Sequence, residues 1–218
     1  MESDPPAPPA GESADRDVRI MVLGFPASGK STFLAAVWHY FGYGDCDGIM
    51  FSTDENTARY LNGYCRELMQ GSLPAKTPVT REWSFTIQAR GRSGALADTV
   101  TLTYADYADY AGHKAGDLVV GLLDGAKIAA IMRDDPDQEY AVWLDRLFLV
   151  MAGQGDKPVQ LLLTKFDLLH GRYTLGQIVG KLRRCHRPFD RYCQFTGMGK
   201  RRLIAVAALG TNLDLSHL

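Results

Sequence analysis

A three-layer α/β fold, with a mainly parallel sheet and one antiparallel edge strand, is what this sequence predicts, on three observations. Short apolar runs recur at 18–23, 118–123, 159–163 and 203–207. Runs of this length and apolarity suit strands buried on both faces of a parallel sheet. Helix-compatible stretches separate several of them, the alternation expected where crossover helices join parallel strands. Residues 82–88 and 99–104 instead alternate apolar and polar side chains around the turn-rich Gly91-Arg92-Ser93-Gly94, which predicts an antiparallel pair.

The elements follow in order. Residues 1–17 are rich in Pro, Ala, Glu and Asp, a composition that cannot bury enough apolar surface to fold, so a disordered leader is expected. The folded domain is then 18–218, opening on the first strand. Residues 32–41 predict a helix with Phe33, Leu34, Val37, Trp38 and Phe41 as its apolar positions. A polar, glycine-dotted connection over 42–48 leads to a second helix over 53–70, with Leu61, Tyr64, Cys65 and Leu68 on one face. Gly71, Pro74 and Pro78 make 71–78 a loop ahead of the alternating pair. A helix over about 140–151 separates the apolar strands 118–123 and 159–163, and 203–207 is the last strand. In open sheets of this kind ligands bind at the carboxyl ends of the strands.

Composition narrows the function classes. The 218 residues are 46 % hydrophobic and 22 % charged, which suits one domain or one domain with an appendage. A formal net charge of -1 gives no global electrostatic case for nucleic acid or an anionic membrane. Cys46, Cys65, Cys185 and Cys193 form no C-x-x-C pair, so neither a zinc ribbon nor a redox motif is indicated. No apolar run reaches the ~18 residues of a membrane span. The N-terminus lacks a basic-then-apolar signal, and a cytoplasmic location is expected. Lys181, Arg183, Arg184, Arg187, Arg191, Lys200, Arg201 and Arg202 form a local basic patch. It reads as solvated helix and turn faces, with a partner or phosphate surface as the alternative.

The chemistry begins at Gly24-Phe25-Pro26-Ala27-Ser28-Gly29-Lys30-Ser31, which matches the G-x-x-x-x-G-K-[ST] phosphate-binding loop and is followed by Thr32. Its flanks, an apolar strand before and a helix after, are the context the motif needs. Gly24 and Gly29 let the backbone curl, and the N–H groups then point inward at a helix N-terminus that favours anions. Pro26 has no N–H, so the cradle relies on Ala27, Ser28, Gly29, Lys30 and Ser31. Lys30 is expected to reach the β- and γ-phosphates and Ser31 to hold Mg²⁺ through its hydroxyl.

Two further motifs lie downstream. Asp109-Tyr110-Ala111-Gly112-His113 follows the strand around Leu102. Asp109 there can hold Mg²⁺ through water, and Gly112 can offer its N–H to the γ-phosphate. Asp106 is a rival near the same strand end, but no glycine lies three residues beyond it. Thr164-Lys165-Phe166-Asp167 follows the strand 159–163. This run resembles the [N/T]-K-x-D signature of GTPases, which implies that the Asp167 carboxylate would accept two hydrogen bonds from the N1–H and N2–H₂ edge of guanine, a pair adenine does not offer, and that Lys165 would lie across the base and steady the loop.

Together these motifs resemble the P-loop GTPases of the translation-factor-related (TRAFAC) class, over roughly residues 18–210. The wording of residues 22–34 is similar to the bacterial double-GTPase (DO-GTPase) group associated with conflict systems. The resemblance implies a P-loop NTPase fold and a GTP/GDP site with Mg²⁺. It implies a last motif whose backbone contacts the guanine carbonyl, here Ala207-Ala208-Leu209-Gly210. Ala207 replaces the usual Ser, so main-chain contacts at Ala208 and Leu209 must suffice. It also implies a switch threonine that binds Mg²⁺ and closes over the γ-phosphate. Thr53, Thr57, Thr77 and Thr80 are candidates, and Thr77 is favoured by its Gly/Pro loop just ahead of a strand. His113, next after the D-x-x-G glycine, is the residue implied to position the attacking water. Arg81, Arg90 and Arg133 stay unranked as charge-stabilising arginines.

The expected function is a GTP-hydrolysing molecular switch acting on a partner protein or neighbouring domain, with homodimerisation open. A guanine-nucleotide module without turnover is one alternative, and a P-loop ATPase or small-molecule kinase another. Family domains end in a helix after the last motif, and residues 211–218 are short for one, so a face of the sheet could await a partner domain or second copy.

Overall fold

The fold is seen in a computed structural model that describes residues 16–43, 49–72, 74, 81–90, 96–107, 116–155, 157–194 and 201–207. The strands are β1 (Arg16–Gly24), β2 (Ile49–Thr53), β3 (Arg81–Arg90), β4 (Leu96–Tyr107), β5 (Leu118–Asp124), β6 (Val159–Thr164) and β7 (Arg201–Ala205). The helices are α1 (Lys30–Tyr43), α2 (Glu55–Met69), α3 (Gly125–Met132), α4 (Gln138–Ala152), α5 (Leu175–Cys185) and α6 (Arg187–Gln194), with a single 3₁₀ turn at Phe166–Leu168. All seven strands join one sheet in the order β2-β3-β4-β1-β5-β6-β7.

β4, β1, β5, β6 and β7 run parallel, and β3 is antiparallel to β4. The expected antiparallel strand is therefore present as β3, but the edge itself is taken by the short β2, antiparallel to β3. β2 is the strand the sequence reading misses. The helix expected from residue 53 starts instead at Glu55. Asp54 caps it, accepting from the N–H groups of Asn56 and Thr57, so the chain before the cap is free to extend as strand.

Side-chain alternation along the strands builds three layers. Met21, Leu23, Val119, Leu123, Leu161 and Leu163 face a core shared with α3, α4, α5 and α6. Val22, Leu122 and Leu162 face the opposite core, with Leu34, Ala35 and Trp38 of α1, Leu61 and Cys65 of α2, and Trp83 and Phe85 of β3. The α2 face read from sequence is the buried one: Leu61, Cys65 and Leu68 are buried and Tyr64 is half-buried. α3 was not expected. It begins directly at the end of β5, with Asp124 as its N-cap.

Of the basic residues of α5 and α6, Arg183, Arg184, Arg187 and Arg191 are exposed and Lys181 is half-buried. Lys181 pairs with Asp134, and Arg183 Nε donates to Asp190 at 2.8 Å. Among the described residues no helix is long and apolar enough to cross a membrane.

Candidate functional site

The carboxyl ends of β1, β5 and β6 meet at one edge. Gly24 is in register with Leu122, and Asp124 with Thr164. The phosphate loop leaves β1 here through a turn closed by Ser28 N–H on the Phe25 carbonyl at 3.0 Å. Pro26 and Ala27 occupy the two central positions. Ala27 has φ 62, the left-handed value the second central residue of a type II turn takes. Gly29 follows at φ 87, and Phe33 N–H donates to the Gly29 carbonyl at 2.8 Å to close the first turn of α1.

Each named loop residue has a definite place. A Cβ on Gly24 would lie 2.5 Å from Ser28 Oγ and 2.9 Å from the Lys30 stem, so the close approach requires glycine. Ser28 is fully buried, its N–H is taken by the turn, and its Oγ has no hydrogen-bond partner among the described residues. Lys30 Nζ donates to the Gly24 carbonyl at 2.8 Å and lies 3.4 Å from that of Phe25, bridging the mouth of the loop. Ser31 stands half-buried in the first turn of α1, where a hydroxyl suits the hard-oxygen preference of Mg²⁺. The Thr32 hydroxyl lies 3.2 Å from Tyr64 Oη and ties α1 to α2. Burial raises the Tyr64 hydroxyl above its ordinary value, so it stays protonated at neutral pH. A glycine-lined loop with an ammonium across its mouth and a helix N-terminus behind it fits a phosphate chain.

The T-K-x-D loop is joined to this cradle. The buried Thr164 hydroxyl faces the Ser28 carbonyl at 2.7 Å and that of Leu123 at 3.0 Å. Lys165 is left-handed, at φ 51 and ψ 37, and its Nζ donates to the Ala27 carbonyl at 3.0 Å. Phe166 N–H donates to the Val206 carbonyl at 3.2 Å, so the end of β7 also bears on the loop. Asp167 sits half-exposed in the 3₁₀ turn. It shares the wall of a cavity of about 430 Å³ with Ala126, Ala129, Arg133, Leu168, His170 and Arg172.

Sequence reasoning missed Asp124, Gly125, Phe25 and Tyr140. Asp124 Oδ2 accepts from Lys165 Nζ at 2.8 Å. A Cβ on Gly125 would lie 2.4 Å from the Thr164 carbonyl oxygen and 2.5 Å from that of Lys165. The Phe25 ring meets Tyr140 and Trp143 edge-on, at 5.2 and 5.5 Å. The visible signal was an Asp-Gly pair directly after an apolar strand.

Thr77, Thr80, Asp109, Gly112, His113, Ala208 and Leu209 lie outside the described residues, as do 1–15 of the expected leader and the 91–95 turn. The backbone places their neighbours. Tyr107, the last described residue of β4, pairs with Leu23, one position before Gly24 of the phosphate loop. Asp106 lies one position earlier, opposite Val22. Arg81 opens β3 opposite Asp106, at the same sheet edge, whereas Arg90 lies at the far end opposite Leu96. Arg133 is on the wall beside Asp167. Of the three arginines, only Arg81 is placed by its strand at the phosphate edge.

Residues 21–113 match the family model described as Double-GTPase 1. The match holds the phosphate loop and the D-x-x-G-H run but ends before the T-K-x-D loop. A comparison with curated proteins found no match. Among solved structures, Sup35 complexed with GDP is similar at 14 % identity, over 94 % of this chain and 41 % of that one, with a TM-score of 0.43. The S. cerevisiae Ski7 GTPase-like domain bound to GTP gives 14 % identity over 90 % of this chain and 44 % of that one, at 0.47. The same domain bound to GDP and inorganic phosphate gives 12 % and 0.48, with 90 % and 44 % covered. The chain thus spans well under half the length of these structures. In its motifs the chain resembles the P-loop GTPases of the translation-factor-related class, and over residues 21–113 it is similar to the double-GTPases.

Proposed function

We propose that residues 18–218 form a G domain that binds GTP with Mg²⁺, hydrolyses it to GDP and phosphate, and switches a partner protein or neighbouring domain. The observation that carries this reading is the joining of the two loops. Thr164 on Ser28 and Lys165 on Ala27 join the loop that carries Asp167 to the phosphate loop, which supports reading Asp167 as the guanine-selecting carboxylate of the same site. The double-GTPase match supports guanine-nucleotide binding independently, from residues 21–113.

The residues then have distinct tasks. Gly24, Ala27, Ser28, Gly29 and Thr32 shape the cradle, and Gly112 offers its N–H to the γ-phosphate. Lys30 brings positive charge to the β- and γ-phosphates. Ser31, Thr77 and Asp109 are the residues whose oxygens would hold Mg²⁺, which when bound neutralises charge building on the phosphates. Asp167 reads the base, Lys165 flanks it, and Ala208 and Leu209 supply main-chain contacts. His113 orients a water whose oxygen bonds to the γ-phosphorus as the bond to the β–γ bridging oxygen breaks. The electron pair leaves with GDP, and the water's proton ends on the phosphate. The double-GTPase likeness favours a cytoplasmic role in bacterial conflict or regulation.

Titration with GTP, GDP and ATP in Mg²⁺, followed by single-turnover hydrolysis, tests the reading. Asp167→Ala removes a carboxylate making two hydrogen bonds, each worth about 1.5–3 kcal/mol, so GTP affinity should fall by roughly 10²-fold or more while ATP affinity holds. Equal GTP and ATP binding in the unmodified chain, indifferent to Asp167→Ala, would move it to the ATPase or kinase class. Tight GTP binding without phosphate release would leave a binding module.

A further inference from the structure

Asp124 is buried, with 3 % of its surface exposed, and has no part in the chemistry assigned above. Both of its carboxylate oxygens are nevertheless engaged at the carboxyl edge of the sheet. Its Oδ1 accepts from Ala126 N–H at 2.9 Å and caps α3. Its Oδ2 accepts from Lys165 Nζ at 2.8 Å. Its own N–H donates to Tyr140 Oη at 2.9 Å, and Tyr140 stacks on Trp143 beneath Phe25 of the phosphate loop. Burying a carboxyl side chain is costly unless a charge partner and hydrogen bonds offset it, and both are present here.

The partner it holds is under strain. Lys165 has the left-handed backbone that costs a non-glycine residue about 1–2 kcal/mol. The ammonium beyond that backbone is pinned between Asp124 and the Ala27 carbonyl. Directly beneath, the missing Cβ of Gly125 makes room for the carbonyls of Thr164 and Lys165. The Asp124-Gly125 corner is thus the seat on which the T-K-x-D loop rests, and Lys165 is the strut from that seat to the phosphate loop.

We propose that Asp124 is a positioning residue for guanine selection, holding Lys165 so that Asp167 stands at a fixed distance from the phosphate cradle. This rests on the GTP reading above. Asp124 touches neither base nor phosphate in this role. Neutralising it should therefore degrade base selection more than phosphate grip.

The test is titration of the full chain with GDP and ATP in Mg²⁺, for wild type, Asp124→Asn, Lys165→Gln and the double variant. Asn keeps the shape and the acceptor for Ala126 N–H but drops the charge. Asp124→Asn is expected to weaken GDP about tenfold and ATP less than about twofold, so the GDP:ATP preference falls. The double variant should be no weaker than Lys165→Gln alone, because Asp124 acts through Lys165. An unchanged preference, or additive losses in the double variant, overturns the proposal and leaves the GTP reading intact. No guanine preference in wild type overturns both. Should Asp124→Asn fail to fold, Tyr140→Phe removes the hydroxyl that seats the Asp124 N–H. A reduced GDP:ATP preference there supports the proposal, and an unchanged one overturns it.

Discussion

The phosphate loop leaves β1 with its backbone as the working part, whereas the T-K-x-D loop leaves β6 with its first two side chains turned back onto the protein. Along the first, Phe25 and Ser28 close a turn, Ala27 and Gly29 are left-handed, and Lys30 reaches the loop's own carbonyls. Along the second, Thr164 and Lys165 hold carbonyls of the first loop, and Lys165 also holds Asp124. The difference teaches that a nucleotide motif includes residues whose immediate partner is another motif. The first loop is shaped by conformation and the second by side-chain bonds, so substitutions should act differently on the two.

The largest contrast is expected at the glycine beneath each loop. At Gly125 a methyl would meet two backbone carbonyl oxygens at 2.4 and 2.5 Å, which cannot yield without moving the T-K-x-D loop. At Gly24 it would meet side-chain atoms, Ser28 Oγ at 2.5 Å and the Lys30 stem at 2.9 Å, so the buried serine and the lysine must both shift but no backbone need move. Gly125→Ala should therefore cost about 3 kcal/mol or more, and Gly24→Ala less, about 1–2 kcal/mol. Urea unfolding midpoints measure both, and equal midpoints would erase the distinction between a fixed and a yielding neighbour. Gly24→Ala should still weaken nucleotide binding, because the lysine that yields is the phosphate-binding one.

Next comes the hydroxyl each loop region commits to the protein. Thr164→Val keeps the shape but removes the donor facing the Ser28 and Leu123 carbonyls in a buried site. A buried acceptor left unmatched costs about 1–3 kcal/mol. Thr32→Val removes one side of a half-buried contact with Tyr64 and should cost about 1 kcal/mol or less. Chemical denaturation with both variants ranks them, and a larger loss at Thr32 would contradict the assignment of Thr164 as the joint.

What the sequence could show follows the same division. The phosphate loop was legible because its residue types answer to local backbone needs, and its strand and helix flanks are adjacent in the chain. Thr164, Lys165 and Asp167 were legible as a motif after an apolar strand. Thr164's partner at Ser28 was not, since it lies 136 residues away. Asp124 escaped for the same reason, with Lys165 41 residues on and Tyr140 16. β2 was hidden because Ile49–Thr53 is short and runs straight into the Asp54 cap, so its last residue was absorbed into the helix pattern. α3 was hidden because Gly125–Met132 continues an apolar strand with no turn residue but Gly125 itself. The two faces of the sheet, by contrast, were set by alternation along each strand, a local property.

The smallest effect gives the sharpest sign. Ala27 and Lys165 are both left-handed without being glycine, at φ 62 and φ 51. Glycine at either place relieves about 1–2 kcal/mol of backbone strain and adds about 0.5–1 kcal/mol of chain entropy to the unfolded state. At Ala27 nothing else changes, because the carbonyl that accepts from Lys165 belongs to the backbone and survives. Ala27→Gly should raise stability by about 0.5 kcal/mol, read as a small upward shift in Tm. Lys165→Gly gains the same relief but loses the Nζ bonds to Ala27 and to the buried Asp124, leaving that carboxylate without its cation. Removing one partner of a buried pair costs more than the strain relieved, so its Tm should fall. Opposite signs are what a loop held by conformation and a loop held by side chains require, and a rise at both positions would mean that the Asp124–Lys165 pair holds nothing in place.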